Sequence, residues 1–198
     1  ERWWPGDSPT ARRVGLSGVA PERVDAGFAV GRISQTMQFF LDLTVAEFVA
    51  MHRDARGVDG ELAPESVIAA ANGLAGEPMR ADQPLAALAG GQARALMVAD
   101  LVLVADAPVL LIDEIENAGI DRHAALEFLV RRNRLVFLAT HDPLIALRAD
   151  LRLILGEGGI RRVIRTTEEE RQTAARLELA DREVRDLRER LRRGGALA

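Results

Sequence analysis

Two carboxylates close an apolar run in Val109-Leu110-Leu111-Ile112-Asp113-Glu114. An acidic pair at the carboxyl end of a buried strand opens onto the crevice where α/β sheets bind ligands. Phosphoryl transfer from a nucleotide needs a metal ion to neutralise charge and a group to orient water. Asp113 and Glu114 are suited to divide that work, one holding Mg²⁺ and the other polarising the water. A helix-capping or salt-bridge role for the pair is the plainer alternative. His141 follows a second apolar run, Leu135 to Thr140, and stands beside Asp142. If the two runs are neighbouring parallel strands, its imidazole reaches the same crevice, within hydrogen-bonding range of a terminal phosphate or of the attacking water. A lone histidine after a strand also serves structural roles.

Two further groups suit phosphate. Leu88-Ala89-Gly90-Gly91-Gln92 opens a helix, and its glycines let a phosphate or a second backbone come close. The free N–H groups and the helix dipole there attract an anion, although a Gly-Gly pair is also an ordinary helix-entry turn. Gln35 offers a carbonyl to metal or water and an amide N–H to phosphate; Gln38 competes for that role.

The elements that must position these groups are readable in part. Thr44 with Glu47 forms a capping box, Leu43 with Phe48 a hydrophobic staple, and Gly57 ends the helix that they start. A second helix runs from about Pro64 to Ala75 and a third from about Gly90 to Ala105. Strand 109–112, a helix from about Arg122 to Arg132 and strand 135–140 then alternate, as expected of a parallel sheet covered on both faces. Asp142-Pro143 starts another helix, an N-cap followed by proline at the first helical position. Residues 151–155 and 160–165 read as a hairpin joined by Gly156-Glu157-Gly158-Gly159. Ala29 to Ser34 is a candidate strand, and Trp3-Trp4 reads as core or buried edge.

From Thr167, capped with Glu170, one amphipathic helix carries Leu177, Ala180, Val184, Leu187 and Leu191 on a narrow seam. Acid-before-base pairs such as Glu178/Arg182 flank it. The seam either packs on its own domain or forms a short coiled coil with a partner.

The 198 residues, 48% hydrophobic, suffice for one core with an appendage. A net charge of −4 gives no reason to expect nucleic acid or an anionic membrane surface. There is no cysteine, which excludes disulfides and thiolate chemistry and fits a cytosolic setting. No run is apolar enough for a membrane-spanning helix, and no leader precedes an apolar segment. The sequence opens on Glu1, which reads as a cut end. All 26 basic residues are arginine.

In order and spacing, Gln35, Leu88–Gln92, Val109–Glu114 and Thr140-His141-Asp142 resemble the ATP-binding-cassette (ABC) ATPases over about residues 29–165. The resemblance implies an α/β, P-loop NTPase-like three-layer parallel sheet with a helical subdomain at about 44–105. It covers a partial ATPase domain, 1–165, incomplete at its N-terminus, with 166–198 as an appended helix. It implies a Q-loop at Gln35 and a signature at Leu88-Ala89-Gly90-Gly91-Gln92. Asp113 takes the metal, with Gln35, Glu114 is the general base, and His141 is the switch histidine. Asn117 to Asp121 corresponds to the D-loop. ATP and Mg²⁺ are the implied ligands, and a second ABC ATPase subunit is the implied partner in a head-to-tail dimer. There Gly90, Gly91 and Gln92 act in trans, and Gln35, Asp113, Glu114 and His141 in cis.

Departures accompany the likeness. Ala89 replaces the usual serine, Ile115 stands where proline is common, Asp121 lies one residue late, and the step from Glu114 to His141 is short. Nothing in 1–34 matches G-x-x-x-x-G-K-[ST], whose backbone nest and lysine grip the β- and γ-phosphates. The expectation is therefore that this chain by itself binds ATP weakly or not at all. For the parent protein the expectation is a cytoplasmic ATPase powering a membrane permease, peripheral on the inner face of the membrane. A soluble mechanochemical or repair-type ABC ATPase is one alternative. A non-catalytic interaction module or pseudo-ATPase is the other. The tail helix is a candidate surface for a protein partner.

Overall fold

The computed structural model describes residues 29–58, 62–117, 119–131, 134–192 and 194. The expectations placed on Trp3-Trp4, and on the rest of 1–28, lie outside the described residues. The chain divides into two compact units, one formed by the residues up to Ile112 with Asn117–Phe137, the other by Asp113–Glu116 with Leu138–Ala198.

In the first unit, β1 (Val30–Ile33) pairs in parallel with β2 (Val109–Asp113) in the register Val30↔Val109 to Ile33↔Ile112. The sheet order is β1-β2-β3, with β3 spanning Leu135–Ala139. Leu110 and Ile112 are buried, whereas Leu111, Leu135 and Phe137 are exposed among the described residues. The expected cover on both sheet faces is thus seen on one face within them. Gly31 is closely packed: a Cβ there would stand 2.3 Å from the Leu101 side chain and 3.2 Å from that of Leu110.

The helical block follows the sequence signals closely. Helix α1 (Val45–Arg56) has the capping box, with Glu47 N–H donating to Thr44 Oγ1 at 3.3 Å and Thr44 N–H to Glu47 Oε2 at 2.8 Å. Gly57 closes it in the left-handed conformation, φ 64°, where a side chain would be strained. Phe48 meets Phe39 edge-on with ring centroids 4.9 Å apart. Helix α2 (Pro64–Asn72) stops at Gly73, shorter than the expected run to Ala75. Helix α3 (Gly90–Asp100) continues as a π-helical turn over Leu101–Ala105. Ala95 to Ala99 are buried on every side, which makes α3 the central helix of the block.

The polar residues buried on α3 itself have partners, as desolvation demands. Asp100 faces His52 Nδ1 at 2.8 Å, and Arg94 donates to the Ser34 carbonyl. Arg134 donates to the Val102 carbonyl at 2.6 Å and pairs with Asp106. Helix α4 (Arg122–Val130) is capped by Asp121, which accepts from His123 N–H at 2.9 Å.

In the second unit, Asp142 caps α5 (Pro143–Arg148) by accepting from Leu144 N–H at 2.8 Å. Strands β4 (Leu151–Gly156) and β5 (Gly159–Arg165) form the antiparallel hairpin. Its turn is tighter than expected, with Glu157 (φ 51°) and Gly158 (φ 78°) left-handed, a combination that matches the twist of the flanking strands. Helix α6 (Glu168–Arg192) starts at the Thr167–Glu170 capping box, and Glu170 also pairs with Arg152. Glu178 reaches Arg148 on α5 at 2.8 Å instead of serving Arg182. Ala174 is buried, while Leu177, Val184, Leu187 and Leu191 along the seam are exposed. Among the described residues, the unit therefore covers the start of α6 and leaves the seam open.

Removing either half of the α1 capping box should cost about 1 kcal/mol. Thr44→Ala and Glu47→Ala, measured by urea unfolding, are expected to be non-additive, since both delete the same reciprocal pair.

Candidate functional site

Two groups of residues gather chemistry, one in each unit. In the second unit, Asp113 ends its strand exposed and Glu114 follows, half-buried, with φ 48°. That left-handed backbone costs a non-glycine residue about 1 kcal/mol or more. It is held by a hydrogen bond from Glu114 N–H to the Ala139 carbonyl at 2.9 Å. His141 Nδ1 lies 3.9 Å from Glu114 and 3.2 Å from Glu116. The strand-end acid and the imidazole, far apart in sequence, thus share one site.

Glu116, which the sequence does not single out, ties the site to the 140–142 turn. One of its oxygens accepts from the Thr140 hydroxyl at 2.6 Å and from His141 N–H at 3.0 Å. Thr140 Oγ1 in turn accepts from Asp142 N–H at 3.0 Å. Burial alone would raise the Glu116 carboxyl. The Thr140 hydroxyl, the backbone N–H groups of Glu116 and His141, and the His141 ring outweigh it and hold the group below the usual carboxylate range.

In the first unit, Gln35 and Gly90 with Gly91 line one cleft of about 560 Å³, together with Gln38, Phe39 and Arg94. Gln38, the competitor of Gln35, therefore lines the same cleft. Ala89 and Gly90 are exposed, and a Cβ at Gly90 would meet nothing within 4 Å. The Gln92 side chain is buried, accepting from Ala89 N–H at 3.0 Å and donating to the Pro78 carbonyl at 3.1 Å. It shapes the turn from behind. Gly119 also lines the cleft; its φ is +66°, and a Cβ there would sit 3.5 Å from the Gly91 Cα. A glycine between the acidic strand end and a helix cap was the available signal for that contact.

No group of three or more metal-ligating side chains occurs among the described residues. A magnesium ion does not need one, because it keeps several waters and takes one or two carboxylates plus substrate phosphates. Asp113, a hard oxygen donor exposed at a strand end, fits that demand.

A parallel sheet with adjacent acids at a strand end, and a helical block inserted before that strand in sequence, has the fold of a P-loop NTPase of the cassette type. No family model matches the sequence. An ABC transporter ATP-binding protein of Methanocaldococcus jannaschii, itself uncharacterized, is 42% identical over 196 residues, 97% of this chain and 75% of the relative. The chain belongs to the ABC transporter ATP-binding protein family. A macrolide export ATP-binding/permease protein of Salmonella typhi is 38% identical over 87 residues, 41% of this chain and 13% of that protein. Among solved structures, an ATP-binding subunit of an ABC transporter superposes with a TM-score of 0.65 at 20% identity, over 81% of this chain and 70% of that one. A dimeric ATP-binding cassette in a post-hydrolysis state with ADP and Pi gives 0.59 at 18% identity, over 77% and 72%. A bacterial Atm1-family exporter with ATP bound gives 0.61 at 23%, over 86% of this chain and 32% of that one. At these identities the structural likeness establishes the fold.

Two stability measurements follow from the site's backbone. Glu114→Gly should be about 1 kcal/mol more stable than Glu114→Ala in thermal unfolding, because glycine relieves the left-handed φ. Ala89→Ser should raise stability by about 0.5–1 kcal/mol by supplying the missing cap of α3.

Proposed function

We propose that this chain carries the hydrolytic and signature elements of an ATPase that works as a head-to-tail dimer and powers transport. The observation that carries the reading is the meeting of Glu114 and Glu116 with His141 at the end of an apolar strand. Asp113 would hold Mg²⁺ through its exposed carboxylate. The ion supplies charge neutralisation at the β- and γ-phosphates. Glu114 accepts a proton from the attacking water, and His141 hydrogen-bonds the terminal phosphate or that water. Gly90 and Gly91 present backbone N–H groups to a phosphate held by the neighbouring subunit. Ala89 removes one hydroxyl donor from that turn. Gln92, by its geometry, acts through the turn's shape.

The Methanocaldococcus relative supports the ATP-binding role, and the ADP-bound cassette dimer supports a paired arrangement. The macrolide export relative supports a membrane permease as partner, with this chain on the membrane's cytoplasmic side. No helix among the described residues is long and apolar enough to cross a membrane. The exposed seam of α6 favours a protein partner for the tail.

A second reading has its own observation. The chain contains no lysine, so the phosphate-gripping lysine of a G-x-x-x-x-G-K-[ST] loop is not among its residues. On that reading the signature face serves a partner that owns the nucleotide site, and this chain turns nothing over. A steady-state ATPase assay on the natural full-length protein, with its own phosphate loop or its partner's present, separates the two. Catalysis predicts that Glu114→Gln lowers kcat by about 10²-fold or more with nucleotide affinity retained. Absence of turnover above background, unchanged in Glu114→Gln, leaves the interaction module.

A further inference from the structure

We infer that Glu116 is a positioning residue that fixes the proton of the neutral His141 ring on Nδ1, so that Nε2 is the nitrogen offered to the phosphate or water. The inference rests on the role proposed above for Glu114 and His141. An ionised carboxylate only accepts hydrogen bonds, and Glu116 Oε1 stands at ion-pair distance, 3.2 Å, from the ring Nδ1, which favours the proton on that nitrogen. Glu114, 3.9 Å from the same nitrogen, adds a second acceptor on that side. Which nitrogen is protonated is set by the partners that the two ring nitrogens meet, and a carboxylate facing one of them is a common way to set it.

The surroundings of Glu116 argue that its charge has a purpose beyond stapling two loops. Its side chain is 6% exposed, and its Oε2 is buried with no hydrogen-bond partner. A neutral hydroxyl would satisfy the Thr140 and His141 N–H contacts without that desolvation penalty. A buried carboxylate with one oxygen idle is the costly choice unless the imidazole needs it. The same oxygen also receives Thr140 Oγ1 and His141 N–H, so the loop bearing the ring and the acceptor that orients it are fixed together.

The test uses imidazole nitrogen NMR on the full chain above pH 8, where an ordinary histidine of pKa about 6.5 is neutral. The chain has three histidines, and His141→Gln assigns the third signal. Wild type should show His141 protonated on Nδ1, Glu116→Leu should shift it to Nε2, and Glu116→Gln, whose amide oxygen still accepts, should restore Nδ1. In turnover, Glu116→Leu should lower kcat about 10- to 100-fold at unchanged KM, and Glu116→Gln should recover most of it. Protonation of wild-type His141 on Nε2 would overturn the inference, even if Glu116→Leu failed to fold. So would a folded Glu116→Leu that kept either the Nδ1 proton or the wild-type kcat in a protein whose Glu114→Gln form is inactive. If Glu114→Gln retains full turnover, the proposed catalytic role fails instead, and the tautomer measurement still decides the positioning.

Discussion

The placing of the His141 ring beside Glu114 depends on one carboxylate oxygen at the junction of two strand-end loops. Glu116 Oε1 collects the Thr140 hydroxyl and the His141 N–H, and Thr140 accepts from Asp142, whose own carboxylate caps the following helix. Each link is an ordinary hydrogen bond, worth about 1 kcal/mol net when neutral and more when charged. Their value lies in sequence: the same contacts that shape the 140–142 turn also decide where the His141 ring stands relative to Glu114. Loss of the carboxylate would release the turn and the ring together.

Legibility from sequence followed locality. The Thr44–Glu47 and Thr167–Glu170 boxes, the Asp142-Pro143 start and the 156–159 turn were readable because each is satisfied within a few residues, whatever the rest of the chain does. Helix ends set by packing were less so: α2 stops at Gly73, and the expected continuation to Ala75 gives way to an isolated bridge between Ala75 and Ile120. Glu116 was invisible for a different reason. It sits next to a motif of acids and looks like one more charge, and its importance comes from Thr140 and His141, which only the fold brings to it. Gln92 shows the converse. Its type and place suggested a ligand contact, while its side chain satisfies the turn's own backbone.

The Gly90-Gly91 turn owes its shape to what caps it. At the start of α3 the residue in the cap position, Ala89, has no side chain to accept a hydrogen bond. Gln92 takes up the Ala89 N–H from within, and the first intrahelical bond runs from Ala93 N–H to the Ala89 carbonyl. The N–H groups of Gly90, Gly91 and Gln92 precede that bond and have no partner inside the helix. A serine at position 89 would both offer a hydroxyl outward and compete for one of those donors. With alanine the turn trades a side-chain donor for a backbone left fully available. The two glycines then matter for access more than for conformation, since open space surrounds a Cβ at Gly90, while Gly119 keeps the neighbouring segment close against Gly91. A phosphate oxygen reaching this turn would meet amide hydrogens and the positive end of the helix dipole, a grip that distinguishes shape and charge without any titratable group.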